Sequence, residues 1–265
     1  MQHQNTRHDL ERFRTTHPPR SIIVNGLRWD YRIVGAGESC MLILPGIHGK
    51  GELNFRLAEA MWASFRIILP NYPPARRMTQ LADGIIAILD AEGIQQAHLF
   101  GSSYGGMVAQ QVAQQYPERI GRLILATTTA PKNEPLRRTR MLARFATFLI
   151  TEGLKKAARR STPVPHHGCL AVSTRELVSA FSARTLVCRL LAAAEFLQHQ
   201  SDYAMSASAG NVLILLGERD PIFTRSEWRN LSSFYPQAAI HVVREAGHFL
   251  EPEVQAAFAL PFLAG

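Results

Sequence analysis

Cysteine is scarce and unpaired in this chain. Cys40, Cys169 and Cys188 are three among 265 residues, widely separated and outside any Cys-x-x-Cys spacing. That pattern argues against a disulfide framework and a structural zinc, and leaves the three as small buried hydrophobes. Long apolar runs are missing as well: none reaches the roughly 18 residues a bilayer span requires, so no transmembrane segment is expected. Residues Met1 to Arg20 are polar and charged and lack the apolar middle section of a secretion signal. They are expected to be a flexible basic tail on a cytoplasmic protein. Acidic residues are in deficit, 21 Asp and Glu against 29 Lys and Arg, for a net charge of +8. Such an excess can attract anionic partners, but no nucleic-acid module accompanies it. No metal-ligand cluster stands out, so neither metal nor cofactor is expected. Internal repeats and low-complexity segments are also lacking.

What is present is a globular composition, 46% hydrophobic and 19% charged, long enough for one α/β domain over 21–265. Asn25-Gly26 sits between two strand-like runs and signals a hairpin. Cys40 to Leu44, Phe65 to Leu69, His98 to Gly101, Arg122 to Ala126 and Asn211 to Leu216 are short apolar runs of the kind buried on both faces of a parallel sheet. Helical spacing separates several of them: a helix around Leu53 to Ser64, a second over Met78 to Ala91 ended by Gly93, and a third over Tyr104 to Gln115. This alternation predicts a mostly parallel, doubly wound sheet. The rhythm breaks between Thr127 and Gly210, where helical patterns at Leu136 to Leu154 and Arg175 to Gln198 predict an inserted helical cap at about 131–209. Ala239 to Val243 and Pro252 to Leu263 supply a last strand and helix.

The chain is organised around Gly101-Ser102-Ser103-Tyr104-Gly105, which follows a strand and opens a helix. By itself the pattern fits any strand-to-helix turn. As a nucleophile elbow it would expose the Ser103 hydroxyl on a strained turn that glycine must flank. Two partners follow in the required order, each just past a strand: Asp220 in Gly217-Glu218-Arg219-Asp220-Pro221, and His248 in Gly247-His248-Phe249. A serine hydroxyl is too weak an acid to attack a carbonyl unaided, so His248 would take its proton while Asp220 orients the imidazole. Glu218 competes for the acid role, and Asp220 could simply cap a helix. His48 is the rival histidine by location. Two backbone N–H groups would hold the oxyanion: Tyr104, which follows the nucleophile, and Ile47 in the loop Pro45-Gly46-Ile47-His48-Gly49-Lys50-Gly51, whose register is open by a residue or two.

Leu44-Pro45-Gly46, Arg66-Ile67-Ile68, Tyr72-Pro73, the elbow, Pro117-Glu118-Arg119-Ile120 and Gly247-His248-Phe249 together resemble the markers of the α/β-hydrolase superfamily, over about Ile22 to Phe262. The Leu-Pro-Gly loop and the Tyr-Pro-Pro turn are most similar to the maspardin-like branch and its bacterial relatives. The resemblance implies the α/β-hydrolase fold. It also implies a serine hydrolase acting on a carboxylic ester or thioester, with a small-molecule acyl substrate. A serine at the elbow, where dehalogenases and epoxide hydrolases of the superfamily carry aspartate, argues against those two activities. Acyl transfer and carbon–carbon bond hydrolysis remain open to the same triad, as does a non-enzymatic binding role. Where many esterases of the superfamily have His-Gly, this chain has Pro45-Gly46. Between Lys132 and Arg160 basic residues crowd the expected cap, either as a solvated face or as a surface that favours anionic or carrier-bound acyl groups.

Overall fold

The computed structural model describes residues 2–131, 182–198 and 211–264. Its elements, in chain order, begin with α1 (Gln2–Thr16), β1 (Arg20–Val24), β2 (Leu27–Val34) and β3 (Ser39–Leu44). A 3₁₀ turn, Gly51–Asn54, then leads into α2 (Phe55–Met61), β4 (Phe65–Asn71), α3 (Met78–Ala91), β5 (Ala97–Ser102), α4 (Tyr104–Gln115) and β6 (Ile120–Ala126). The remainder comprises α5 (Ala183–Phe196), β7 (Val212–Gly217), α6 (Arg225–Phe234), β8 (Ala239–Val243) and α7 (Pro252–Ala264). The strands form one eight-stranded sheet in the order β1-β2-β4-β3-β5-β6-β7-β8. Only the β1–β2 and β2–β4 pairings are antiparallel; from β4 to β8 every neighbour is parallel. The hairpin turns at Asn25 (φ 49°) and Gly26 (φ 75°), the left-handed pair that a two-residue turn needs.

Buried strands read as continuous apolar runs because both faces are covered. In β3, Leu42 and Leu44 enter the core beneath α3 and α4, while Met41 and Ile43 enter the opposite core with α2 and α7. After β3 the chain crosses to β4 on one side and returns to β5 on the other. A crevice therefore opens at the carboxyl ends of β3 and β5, where sheets of this kind collect functional loops.

Three expectations need correction. The segment 1–20, expected as a flexible tail, contains helix α1, whose Leu10 and Phe13 are fully buried. The Phe13 ring lies 5.6 Å from Phe55, the Arg14 guanidinium meets Glu52 at 3.3 Å, and Arg32 donates to the carbonyls of Arg14 and His17 at the helix end. Second, the helix expected around Leu53 to Ser64 is split into a 3₁₀ turn and the short α2. Third, the helix that Asp220 could have capped begins only at Arg225, as α6; its Leu231 is buried, and Trp228 and Phe234 pack against the same core. Most of the expected cap, including the pattern Leu136 to Leu154 and the basic run Lys132 to Arg160, lies outside the described residues. Of the cap, α5 is described. Ser182 caps it by accepting from the Thr185 N–H at 3.1 Å, and Ala192, Ala193 and Phe196 are buried in the core beneath it.

Candidate active site

Ser103 is the single residue between β5 and α4, and its backbone is held at φ 56°, ψ −120°. A non-glycine residue pays for a positive φ, so the turn has to be imposed by its surroundings. It is: the Ser103 N–H donates to Ala126 O at 2.9 Å, and the Ser103 carbonyl accepts from the Gly106 N–H at 3.0 Å and the Thr128 hydroxyl at 2.7 Å. The flanking glycines answer to contact. A Cβ on Gly101 would stand 2.4 Å from Gly105 O, and one on Gly105 would stand 2.2 Å from Leu44 O and 2.7 Å from Pro45 O. The first turn of α4 therefore sits directly against the end of β3 and the loop that follows it.

Asp220 and His248 arrive from loops at the ends of β7 and β8. These loops touch, since a Cβ on Gly217 would fall 2.0 Å from the Gly247 carbonyl. Asp220 Oδ1 accepts from the Ile222 and Phe223 N–H groups at 2.8 and 3.0 Å, leaving Oδ2 to face His248 Nδ1 at 2.9 Å. The cap-like turn and the pairing with histidine are thus made by different oxygens of one carboxylate. An ionised carboxylate only accepts, so the proton of a neutral His248 sits on Nδ1, and Nε2 accepts from the Ser103 hydroxyl at 3.0 Å. All three side chains are buried. The Phe223 and Phe249 rings flank the imidazole at 5.4 and 5.1 Å. Glu218, the competing acid, is exposed and accepts instead from the Glu245 N–H at 2.9 Å.

The loop 45–51 is built as a tight turn. The Gly49 N–H donates to Gly46 O at 2.9 Å, with Gly49 at φ +68°. Gly49 O in turn accepts from the Tyr72 N–H at 2.9 Å, and the Gly51 N–H donates to Asn71 Oδ1 at 2.7 Å. The Ile47 N–H has no protein acceptor among the described residues. Tyr104, first in α4, has no intrahelical acceptor for its own N–H. His48 does not join the serine: its Nδ1 accepts from the Lys50 N–H at 3.2 Å. Burial, with the positive charges of Arg189 and Lys50, pushes its pKa down to about 3, which keeps it neutral at ordinary pH.

Sequence reasoning passed over Arg189. It stands in the apolar run Leu186-Val187-Cys188-Arg189-Leu190-Leu191 of α5, and a lone cation in such a run was the available signal. Its side chain is 2% exposed, and its Nη1 donates to the carbonyls of Ile47 and His48 at 2.7 and 2.8 Å. Burial lowers its pKa. Its Nε, like the hydroxyls of Tyr72 and Tyr104, has no partner among the described residues. The two tyrosine rings lie 5.9 Å apart, and burial raises both phenols well above their usual range. Among the described residues no group of side chains is arranged to hold a metal ion, and no helix is long and apolar enough to cross a membrane.

Comparison with known proteins agrees with this layout. The family model for the alpha/beta hydrolase fold matches residues 40–252. A 2-hydroxymuconate semialdehyde hydrolase from Pseudomonas sp. strain CF600 is 26% identical over 287 residues, covering 91% of this chain and 90% of that protein. Maspardin from Danio rerio is 34% identical over 113 residues, 40% of this chain and 36% of maspardin. The crystal structure of a hydrolase from Pseudomonas aeruginosa PA01 is similar at a TM-score of 0.72 and 19% identity, covering 94% of this chain and 99% of that one.

Proposed function

Since this chain belongs to the α/β-hydrolase family, we propose that it is a serine hydrolase cleaving a carboxylic ester or thioester through an acyl-enzyme on Ser103. The observation that carries this is the unbroken, buried hydrogen-bond relay from Ser103 Oγ through His248 to Asp220, at 3.0 and 2.9 Å. Ser103 attacks the acyl carbonyl as His248 Nε2 takes its proton; Asp220 holds the tautomer and stabilises the imidazolium. The imidazolium then protonates the leaving alcohol or thiol, and a water activated by the same nitrogen releases the acid. The N–H groups of Ile47 and Tyr104 are assigned to the oxyanion, because each lacks an internal acceptor and they meet where α4 abuts the loop. No metal or cofactor takes part in these steps. The insertion between β6 and β7 acts as the cap that shapes the acyl pocket, and the enzyme works on a small-molecule substrate in the cytoplasm.

A second reading is favoured by one finding, the match along nearly the whole chain to a 2-hydroxymuconate semialdehyde hydrolase. The same relay would then break a carbon–carbon bond next to a carbonyl. The leaving group is then a carbanion, so the substrate must itself delocalise the electron pair, and His248 returns the proton to carbon. Both readings are tested together. Wild type and Ser103→Ala protein are treated with a labelled fluorophosphonate, and separate untreated samples are assayed on p-nitrophenyl butyrate and on 2-hydroxymuconate semialdehyde. Labelling of wild type alone is expected, and turnover of one substrate over the other selects between the readings. An inert wild-type serine would leave a binding module as the better account.

A further inference from the structure

We propose that Arg189 is a positioning residue for the oxyanion site: by holding the carbonyls of Ile47 and His48 it orients the loop that presents the Ile47 N–H, so the site is competent only while α5 is docked. This rests on the serine-hydrolase reading above and adds to it a dependence of the oxyanion site on the cap.

Four successive carbonyls of the loop are occupied. Gly46 O accepts from the Gly49 N–H and Gly49 O from the Tyr72 N–H; between them, Ile47 O and His48 O are both held by Arg189 Nη1. Arg189 is thus the donor that fixes the two peptides following Ile47. Were those carbonyls released, either peptide could rotate. Rotation would shift the Ile47 N–H and could turn the negative end of a carbonyl toward the position where the oxyanion forms. Space for the guanidinium is built into the backbone: Gly49 has a positive φ, and a Cβ there would lie 2.4 Å from Arg189 Nη2.

A purely structural tie for α5 explains less. That helix has a separate anchor, since Glu195 Oε2 accepts from the Met78 N–H at the start of α3 at 2.7 Å, and it buries Ala192, Ala193 and Phe196. Among the described residues no carboxylate hydrogen-bonds to Arg189, whose contacts go to the loop instead. A buried cation without an anion is costly to keep, and its charge beside the loop favours a developing negative charge.

The test compares full-length wild type, Arg189→Gln and Arg189→Lys. It measures kcat and KM on p-nitrophenyl butyrate, the rate of Ser103 phosphonylation by a fluorophosphonate, and the thermal midpoint. Misplacing one donor by an ångström or so costs about 10²-fold. Arg189→Gln is therefore expected to lower kcat and the phosphonylation rate by about that factor with KM within threefold. Arg189→Lys, which keeps the charge but not the planar fork, should recover part of the loss. Should Arg189→Gln not fold, the folded Arg189→Lys protein decides, with a roughly tenfold loss in kcat at unchanged KM expected. Rates within threefold of wild type in the deciding variant would overturn the role of Arg189 alone. A wild-type protein inert toward both reagents would instead overturn the serine-hydrolase reading, and this role with it.

Discussion

The two sides of Ser103 are finished differently. On the relay side each polar atom that matters has a partner: both oxygens of Asp220 are bonded, and both nitrogens of His248 face a group of the right kind. On the loop side, the hydroxyls of Tyr72 and Tyr104 and the Nε of Arg189 are buried with no partner among the described residues. Buried polar groups are ordinarily satisfied, so exceptions gathered in one place call for a reason. Under the proposed mechanism the relay holds one tautomer and one geometry throughout the reaction, and saturation does that. Under the proposed mechanism the loop keeps N–H groups unspent until a charge appears, and it is held from behind, through its carbonyls.

The sharpest way to break this comparison is on the relay. Asp220→Asn should keep the fold but favour the wrong imidazole tautomer, lowering kcat on an ester substrate by roughly 10³- to 10⁴-fold. Glu218→Gln should stay within about threefold. The reverse result would move the acid to Glu218.

Next in size is the elbow itself. Gly105→Ala puts a methyl 2.2 Å from the Leu44 carbonyl, a backbone clash that no side-chain rotation relieves. A loss on the order of 3 kcal/mol in urea unfolding is expected; a loss below about 1 kcal/mol would show that α4 and the end of β3 can separate freely there.

A smaller effect distinguishes His48 from His248. The pKa of His48 is lowered to about 3, so as pH falls from about 6.5 the unfolded chain takes up a proton at this residue that the folded chain refuses. Stability from this group is complete above about 6.5 and is lost progressively as pH falls toward about 3. Because the ring is half-buried, His48→Gln should recover only about 1–2 kcal/mol relative to wild type at pH 4. Urea titrations at pH 7 and pH 4 measure it, and an equal acid loss in both proteins would remove His48 as the cause.

Least affected should be Tyr72→Phe. With its hydroxyl unpartnered, removal should change stability by less than about 0.5 kcal/mol or raise it. A loss above about 1.5 kcal/mol would reveal a partner for that hydroxyl and erase the contrast between the two sides.

Much of this was legible before any coordinates. The bounds of α3 and α4 follow from spacing and from local stops, and the glycines at 101 and 105 report a steric demand that short sequence spacing carries directly. Chain order alone pointed to Asp220 and His248, because parallel strands deliver their loops to one edge of the sheet. Less local features were missed. Among its described side chains helix α1 buries Leu10 and Phe13 in a polar sequence, and its docking involves Glu52 and Phe55, about forty residues away, so its periodicity is faint. Arg189 reaches a loop 142 residues earlier in the chain, a contact that no local pattern encodes. In α6, Leu231 and its apolar neighbours are diluted among Arg225, Glu227 and Arg229, which makes the helix look like a surface loop.

The wide spacing of the relay also orders events during synthesis. Ser103 and the strained turn around it can be made early, but the imidazole that accepts its hydrogen bond lies 145 residues further along. At bacterial to eukaryotic elongation rates of about 5–20 residues per second, that distance is roughly 7–30 s of translation. Through that interval the Ser103 hydroxyl of the emerging polypeptide is without its imidazole partner. The hydroxyl gains that partner only when the loops bearing Asp220 and His248 have joined the sheet, so under the serine-hydrolase proposal Ser103 becomes reactive only after that assembly.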